Sequence, residues 1–227
     1  MRVDEIAPGL WSWTAPHPEW EPTHAWDAEV RCFYVEADDA TLVVDPLVPD
    51  DAADRFWRAL DDDVERRCAP VAVLLTQAAH ARSAGEVANR YGADVWGHEL
   101  ARDKVAGAPY HAIGPGSTLA GGARTLEVDQ EPGASATPLY FPSHRALAVG
   151  DVLISVDGLL RIWWSHGASD DEWYAGRLVS SLRRWLELDI EHLLVAHGDH
   201  VTGGLDELAA ALERPPFGFG TAGSGDR

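Results

Sequence analysis

The sequence predicts a mixed α/β fold in which two β-sheets pack together and helices cover their outer faces. Three observations lead to this prediction. Short apolar runs bounded by turn residues recur in both halves of the chain, as buried strands require. Each half ends in an alternation of strand and helix signals, and no linker-like stretch separates the halves. We therefore expect one domain over residues 1–214 and a loose tail, rich in Gly and Pro, over residues 215–227.

The first half contains the signals of five strands and two helices. Apolar, aromatic and β-branched runs predict the strands, which are “GLWSWTA” (9–15), “VRCFYVEAD” (30–38), “ATLVVDPLV” (40–48), “APVAVLLT” (69–76) and “ADVWGH” (93–98). A helix is predicted over 51–63, because one face carries Ala53, Phe56, Trp57 and Leu60 at helical spacing. A short helix over 82–91 is expected to end at Gly92.

The second half resumes the strand signals from about residue 113. The predicted strands are “ARTLEV” (123–128), “TPLYF” (137–141), “RALAVGDVLI” (145–154) and “IEHLLVAHGD” (190–199). A helix is predicted over 169–189, where Ser169 and Glu172 form a capping-box pattern. A last helix follows, with four apolar residues in register, Leu205, Leu208, Ala209 and Leu212.

Composition and charge exclude several classes of partner. The formal net charge is −19, so nucleic-acid backbones and anionic membranes would repel this surface. No run of about 18 apolar residues occurs, which predicts that nothing spans a membrane, and the first residues do not predict a secretion signal. The two cysteines, Cys32 and Cys68, are expected to be buried thiols in a reducing compartment. We therefore expect a cytoplasmic protein.

Five short motifs follow one another over nearly the whole chain, and they are “TLVVDPLV”, “VLLT”, “EPGAS”, “LAVGDVLI” and “LLVAHGD”. In this order they resemble the metallo-β-lactamase superfamily. They correspond to its early strand ending in aspartate, the strand before its metal loop, its Thr-Pro-Gly-His turn, its Gly-Asp strand and its late strand ending in His-Gly. The resemblance implies a four-layer αββα sandwich with the active site at one edge. It also implies hydrolysis by a hydroxide held on one or two zinc ions.

The metal loop departs from the family pattern, which reads His-x-His-x-Asp-His after a threonine. A gapless match from Thr76 places non-ligands at those four positions, namely Gln77, Ala79, Ala81 and Arg82. A shift by one residue recovers a single histidine, His80, beside Ala78, Arg82 and Ser83. This loop therefore provides at most one of the expected zinc ligands.

The remaining ligand positions are partly preserved. The histidine of the Pro-Gly-His turn falls on Ala134, whereas the bridging aspartate falls on Asp151 and the last histidine on His197. At most three of the usual seven ligands remain. If a metal is bound, the resemblance implies His80, Asp151 and His197 as its ligands.

Arg82 adds a permanent positive charge at or beside a cation position, because a guanidinium does not deprotonate in proteins. We expect it to repel Zn²⁺ and to pair with Asp151, so that an ion pair takes the place of the metal. No cofactor is therefore expected, although zinc or another divalent metal on a rearranged site stays open. Further histidines occur near the motifs, at His24, His144, His166 and His200.

Ten tryptophans are present, and seven of them cluster at the segments that border the active site in the family. Trp163 and Trp164 are the pocket candidates among them. Aromatic rings at a cavity mouth suit an apolar or aromatic small molecule. Core packing and a homodimer interface also favour tryptophan and stay open as alternatives.

The leading hypothesis is a metallo-β-lactamase-fold protein that has lost its zinc centre. It would bind a ligand or act without a metal, with His80 as a candidate general base. The alternative is a hydrolase with a rearranged mononuclear metal site that acts on an ester, lactone or related small molecule. A third hypothesis is an interaction protein that uses its tryptophan-rich rim.

Overall fold

The computed structural model describes residues 1–24, 26–131, 133–164 and 174–218. Strands within these ranges form three sheets of seven, five and two strands. In chain order they are β1 (Val3–Ala7), β2 (Leu10–Pro16), β3 (Glu29–Glu36), β4 (Thr41–Val44), β5 (Val71–Leu74), β6 (Asp94–Gly97), β7 (Tyr110–Ala112), β8 (Arg124–Thr125), β9 (Leu139–Phe141), β10 (Ala146–Gly150), β11 (Leu153–Val156), β12 (Leu159–Ile162), β13 (His192–Val195) and β14 (Val201–Thr202).

Four α-helices accompany the sheets in the described part of the chain: α1 (Ala53–Arg67), α2 (Ala84–Tyr91), α3 (Ser180–Arg183) and α4 (Gly204–Glu213). Both α1 and α2 have a buried apolar side, as their spacing predicts. The backbone at Gly92 is left-handed (φ 62°) and its N–H bonds to the carbonyl of Ala88, which ends α2 where the sequence predicts.

The segment predicted as one long helix over 169–189 is more irregular. It has a π-helical stretch (Tyr174–Val179), then α3, then a 3₁₀ turn (Arg184–Glu187). Gly176 lies in the π-helical stretch, and glycine is a poor helix former. The predicted capping pair Ser169 and Glu172 lies outside the described residues.

Alternation along the strands divides the core into three layers. On β4, Val43 faces a cluster shared with α1 and α2, whereas Leu42 faces the second sheet. On β13, Leu194 faces the first sheet, and Leu193 faces a cluster shared with the helices of the second half. One apolar layer therefore lies between the sheets, and one lies outside each sheet beneath helices. This is the αββα arrangement that the resemblance implies.

Parallel strand pairs bring the ends of several strands to one edge of the sandwich. In the first sheet, β4 pairs with β5 so that Val44 lies beside Leu74. In the second sheet, ordered β14-β13-β10-β9-β8, β10 pairs with β13 so that Gly150 lies beside Val195. The residues that follow these four strands are consequently neighbours.

Within the segment predicted as a loose tail from residue 215, Phe217 forms an isolated bridge with Trp163, the residue after β12. The N–H of Phe217 bonds to the carbonyl of Ile162 (2.8 Å), and the N–H of Trp164 bonds to the carbonyl of Phe217 (2.7 Å). Residues 219–227 lie outside the described part.

The two cysteines differ in exposure, and neither forms a disulfide. Cys32 is buried as predicted, and burial raises the pKa of its thiol to about 12. The prediction was wrong for Cys68, which is exposed because it ends α1 in a left-handed conformation. Among the described helices, none has the length and apolar character needed to cross a membrane.

Candidate functional site

A cavity of about 600 Å³ opens at the edge where β5, β10 and β13 end. All six pocket candidates from the sequence line it: His80, Arg82, Asp151, Trp163, Trp164 and His197. Its lining also includes His17, Trp26 and Gln77, none of which the sequence singled out as a pocket residue.

His80 is fixed from behind by Asp45, the residue that follows β4. Nδ1 of His80 lies 3.0 Å from Oδ2 of Asp45, and both side chains are almost fully buried. Asp45 also accepts hydrogen bonds from the backbone N–H of Thr76 (2.8 Å) and from the Thr76 hydroxyl. A carboxylate that binds one ring nitrogen sets the orientation of an imidazole. Nε2 of His80 is therefore directed to the cavity.

Asp151 follows Gly150 at the end of β10 and faces three side chains. Its Oδ2 accepts a hydrogen bond from Nε2 of Gln77 (2.8 Å). Its Oδ1 lies 3.2 Å from Nε2 of His80 and 3.4 Å from Nε2 of His197. Asp151 thus joins two histidines that lie far apart in the sequence.

His197 is held by backbone contacts from the seven-stranded and the two-stranded sheet and by aromatic rings. Its backbone bridges Val30 of β3, and its carbonyl accepts a hydrogen bond from the N–H of Ser155 (3.1 Å). The rings of Trp26 and Trp163 meet its imidazole edge-on, with centroids 4.6 and 4.9 Å away. These contacts fix the ring plane.

The three side chains converge as the ligands of one ion would. One ligand atom from each of His80, Asp151 and His197 lies within 4.8 Å of the others. Nε2 of His80 and Oδ1 of Asp151 are both buried and lie at ion-pair distance from each other, 3.2 Å. Ligands about 2.0–2.1 Å from a tetrahedral zinc lie about 3.3–3.4 Å apart. The donor set and its spacing therefore fit a single divalent metal with an open coordination position.

No model of a protein family matches the sequence, and no curated protein matches it. Among solved structures, the DIM-1 metallo-β-lactamase superposes with a TM-score of 0.65 at 16% identity, over 93% of this chain and 96% of that chain. The chain has the metallo-β-lactamase fold. The metallo-β-lactamase from Pontibacter korlensis gives a TM-score of 0.63 at 16% identity, over 93% and 96% of the two chains. A flavodiiron core from Synechocystis gives 0.65 at 13% identity, over 93% of this chain and 59% of that chain.

Identities this low establish the fold alone, so the activity has to be argued from the site. The fold prediction made from the five motifs is confirmed. Ala79 and Ala134, which the resemblance puts at two histidine positions of the metallo-β-lactamase pattern, both line the cavity.

Arg82 does not pair with Asp151, contrary to the prediction. In the described part of the chain no carboxylate lies within ion-pair distance of Arg82, and its Nε and Nη1 are buried without a hydrogen-bond partner. The reason is that Gln77 and the two histidines already surround the Asp151 carboxylate. Arg82 instead contributes its charge to the cavity wall.

Charges inside the site shift the pKa values of its members. Burial and the charge of Arg82 lower the pKa of His80, but Asp151 and Asp45 outweigh them and raise it to about 9. Burial alone would raise the pKa of Asp151, yet His80 and His197 hold it well below its usual range. Burial and Arg82 lower the pKa of His17.

The other histidines named from the sequence, where the structure describes them, do not join the cluster. His24 stacks on Trp26 with centroids 4.9 Å apart, behind the cavity wall. Neither His144 nor His200 is part of the group of possible metal ligands among the described residues. His166 lies outside the described residues.

The tryptophans divide between two roles. Trp26, Trp163 and Trp164 line the cavity. Trp13 belongs to the core, where it packs on Phe56 and donates to the carbonyl of Leu47. Both interpretations of the tryptophans, a cavity wall and core packing, therefore apply to different members.

A buried arginine supports the His197 segment, and the sequence analysis did not identify it. Arg31 of β3 is 2% exposed, donates from Nη1 to the Ser12 hydroxyl (2.8 Å) and from Nε to the carbonyl of Gly198 (3.2 Å). Its Nη2 donates to Asp199 (2.7 Å), and its backbone N–H bonds to the carbonyl of Ala196 (2.8 Å). A charged residue inside an otherwise apolar strand is the signal that could have revealed it.

Proposed function

We propose that this chain is a metallo-β-lactamase-fold hydrolase with a reduced centre that binds one divalent metal, zinc or a similar ion. His80, Asp151 and His197 are the ligands, and the substrate is an ester, lactone or related small molecule. The observation that carries this proposal is the convergence of His80 Nε2 and His197 Nε2 on Oδ1 of Asp151, at 3.2 and 3.4 Å. Two imidazoles and a carboxylate gathered in this way are a donor set that suits a divalent metal.

A bound divalent ion supplies activation of water and polarisation of a carbonyl group. The protein holds the site in a fixed shape. Asp45 keeps Nε2 of His80 directed to the cavity, and Gln77 holds Oδ2 of Asp151. Trp26 and Trp163 flank His197 and exclude water from that side of the ring.

The cavity supports a small-molecule substrate. Its volume of about 600 Å³ lies within the range of about 300–1,000 Å³ that is typical of ligand pockets. Its wall combines indole rings with Val128, Val152 and Leu178, beside a few polar groups. An apolar or aromatic acyl group fits such a wall.

Metal analysis combined with a hydrolase assay tests the proposal. Untagged protein, purified without chelator, is analysed for metal per chain and assayed with 4-nitrophenyl acetate and a simple lactone. We expect about one metal per chain, loss of hydrolysis on treatment with chelator, and recovery when zinc is returned. Protein that binds no metal after incubation with zinc, or hydrolysis that is insensitive to chelator, contradicts it.

A second candidate is a metal-free ligand-binding protein or non-metal enzyme of the same fold. Two observations favour it. The permanent charge of Arg82 beside His80 repels a metal ion, and Ala79 and Ala134 stand where the metallo-β-lactamase pattern has histidine ligands. The metal analysis separates the two candidates. A cytoplasmic location and a homodimer formed through the tryptophan-rich rim remain proposals. Fractionation and light scattering test them.

A further inference from the structure

Arg82 is a positive charge in the cavity wall, and no residue in the described part of the chain pairs with it. Among the described residues no carboxylate lies within ion-pair distance, and Nε and Nη1 are buried without an acceptor. Donor atoms of a guanidinium that are buried without an acceptor have lost contact with water and gained nothing in return. Such a group favours a bound anion at the cavity wall.

The carboxylates that the structure describes near Arg82 already have partners. Asp45 accepts from Thr76 through both oxygens and contacts Nδ1 of His80. Asp151 accepts from Gln77 and faces the two histidines. Glu131, a further acid in the lining, has an interaction of its own. Rearrangement of these groups toward Arg82 would break contacts that hold His80 and Asp151 in place.

The surroundings of Arg82 restrict the kind of anion. The wall of the same cavity contains Trp26, Trp163, Trp164 and Leu178, so the body of the ligand has to be apolar or aromatic. Asp45 and Asp151 add negative charge to the site, and the whole chain carries −19. These charges favour a ligand with a single negative charge over a dianion such as a phosphate monoester.

We propose that Arg82 binds a carboxylate group of the substrate, and that the substrates are carboxylic acids with an apolar or aromatic body. The planar guanidinium offers several N–H donors in the geometry that a carboxylate accepts. As far as it concerns a reaction, this inference rests on the proposed function. It restricts the proposed ester or lactone substrates to those that also carry a free carboxylate. The binding step itself does not require a metal.

Calorimetry with matched probes tests the inference. The probes are 3-phenylpropanoate, the neutral 3-phenylpropanamide and the dianionic 3-phenylpropyl phosphate, measured on the protein as purified and after addition of one equivalent of zinc. We expect the carboxylate to bind at least about tenfold more tightly than the amide, as loss of a charged hydrogen bond implies. The phosphate should bind no more tightly than the carboxylate.

Variants assign the effect to Arg82. Arg82→Gln should weaken carboxylate binding about tenfold or more and leave amide binding unchanged, whereas Arg82→Lys should keep the preference for the carboxylate. Arg55→Gln removes the same charge from an exposed position of α1 and should change neither affinity. Circular dichroism and thermal unfolding establish that each variant is folded.

Several outcomes overturn the inference. They are equal binding of carboxylate and amide, a tighter phosphate, no carboxylate binding, or an equal loss of both probes in Arg82→Gln. A carboxylate preference that appears only with zinc and survives in Arg82→Gln also overturns it, because the metal is then the anion site. If the protein binds no metal but keeps an Arg82-dependent preference, the proposed hydrolase fails and the carboxylate site stands.

Discussion

Nε2 of His80 lies 3.2 Å from Oδ1 of Asp151, at ion-pair distance. Nε2 of His197 approaches the same oxygen to 3.4 Å. Both separations are close to those between ligands of one tetrahedral zinc, about 3.3–3.4 Å. The spacing of His80, Asp151 and His197 therefore fits three ligands of one ion.

If these residues share an ion, each single substitution to alanine removes one of three protein ligands. His80→Ala, Asp151→Ala and His197→Ala should each lower bound metal from about one per chain to a small fraction, because two ligands hold zinc far more weakly than three. Elemental analysis after gel filtration measures this. His144→Ala, at a histidine outside the group, is the control and should keep its metal. Full metal content in His197→Ala would disprove the assignment.

The position of Asp45 suggests a separate experiment on the support behind His80. Asp45→Asn keeps an acceptor for the Thr76 N–H but loses the charge that faces Nδ1 of His80. We expect a loss of about 2–3 kcal/mol in unfolding free energy, as for a buried charged hydrogen bond. Loss of such a support also weakens metal binding by about 10–100-fold.

Urea unfolding measures the first effect of Asp45→Asn, and competition with a chromogenic chelator measures the second. Asp38→Asn, an exposed change on the turn before β4, removes the same charge and should alter neither quantity. Unchanged metal affinity in a destabilised Asp45→Asn would mean that Asp45 supports the fold alone.

The sequence predicted the layers well because they depend on local alternation. Val43 and Leu42 are adjacent, and period-two geometry alone sends them to opposite faces of a sheet. Asp151 and His197 could be named from motifs, but their meeting depends on the parallel register that sets Gly150 beside Val195. The register between two strands that are distant in the sequence is set by how their apolar faces pack in the core, which the motifs alone do not reveal.

The roles of Asp45 and Arg82 were harder to predict because each depends on a competition among neighbours. Asp45 meets His80 only after β4 pairs with β5. Arg82 and Asp151 are opposite charges near each other, and a pair was a reasonable expectation. The side chain of Gln77 takes Oδ2 of Asp151 instead, and no spacing rule in the sequence reveals that choice.

Gly198 is required at the turn after His197 because its backbone is left-handed (φ 87°) and an added Cβ would lie 2.1 Å from the carbonyl oxygen of Ser155. Gly198→Ala should therefore lower the unfolding free energy by about 3 kcal/mol, a large effect for one residue. Gly158→Ala has a similar φ (73°) with open space around the Cβ, so only the conformational cost of about 1–2 kcal/mol should appear. Chemical unfolding of both variants gives the comparison. Equal losses would show that the contact with Ser155 relaxes freely.

The two thiols should react at very different rates. Cys68 is exposed, whereas Cys32 is buried and the pKa of its thiol is raised to about 12. Because the thiolate is the reactive form, Cys32 stays protonated and shielded at pH 8. Ellman's reagent should titrate one thiol per native chain and two in denaturant, and Cys68→Ser should abolish the native reaction. Two fast thiols in the native protein would contradict the burial of Cys32.

Arg31 offers a test of how the strand end that carries His197 is held. The guanidinium is 2% exposed and bonds to Ser12, Gly198 and Asp199, while its backbone N–H binds Ala196. Arg31→Met keeps the backbone bond and removes the others. Asp199 is 75% exposed and keeps Arg2 and water as partners when Arg31 is lost, so we expect about 3 kcal/mol, the lower end of the range for breaking a buried ion pair.

Arg2→Met is the matched control for Arg31→Met. Arg2 pairs with the same Asp199 but is 54% exposed, and exposed pairs contribute about 0–1 kcal/mol. Arg31→Met should also weaken metal binding, because the Gly198 carbonyl it holds is adjacent to His197. Urea unfolding and metal competition on both variants measure these effects. If Arg31→Met loses stability and keeps full metal affinity, the His197 ring is held by Trp26 and Trp163 without help from the strand end.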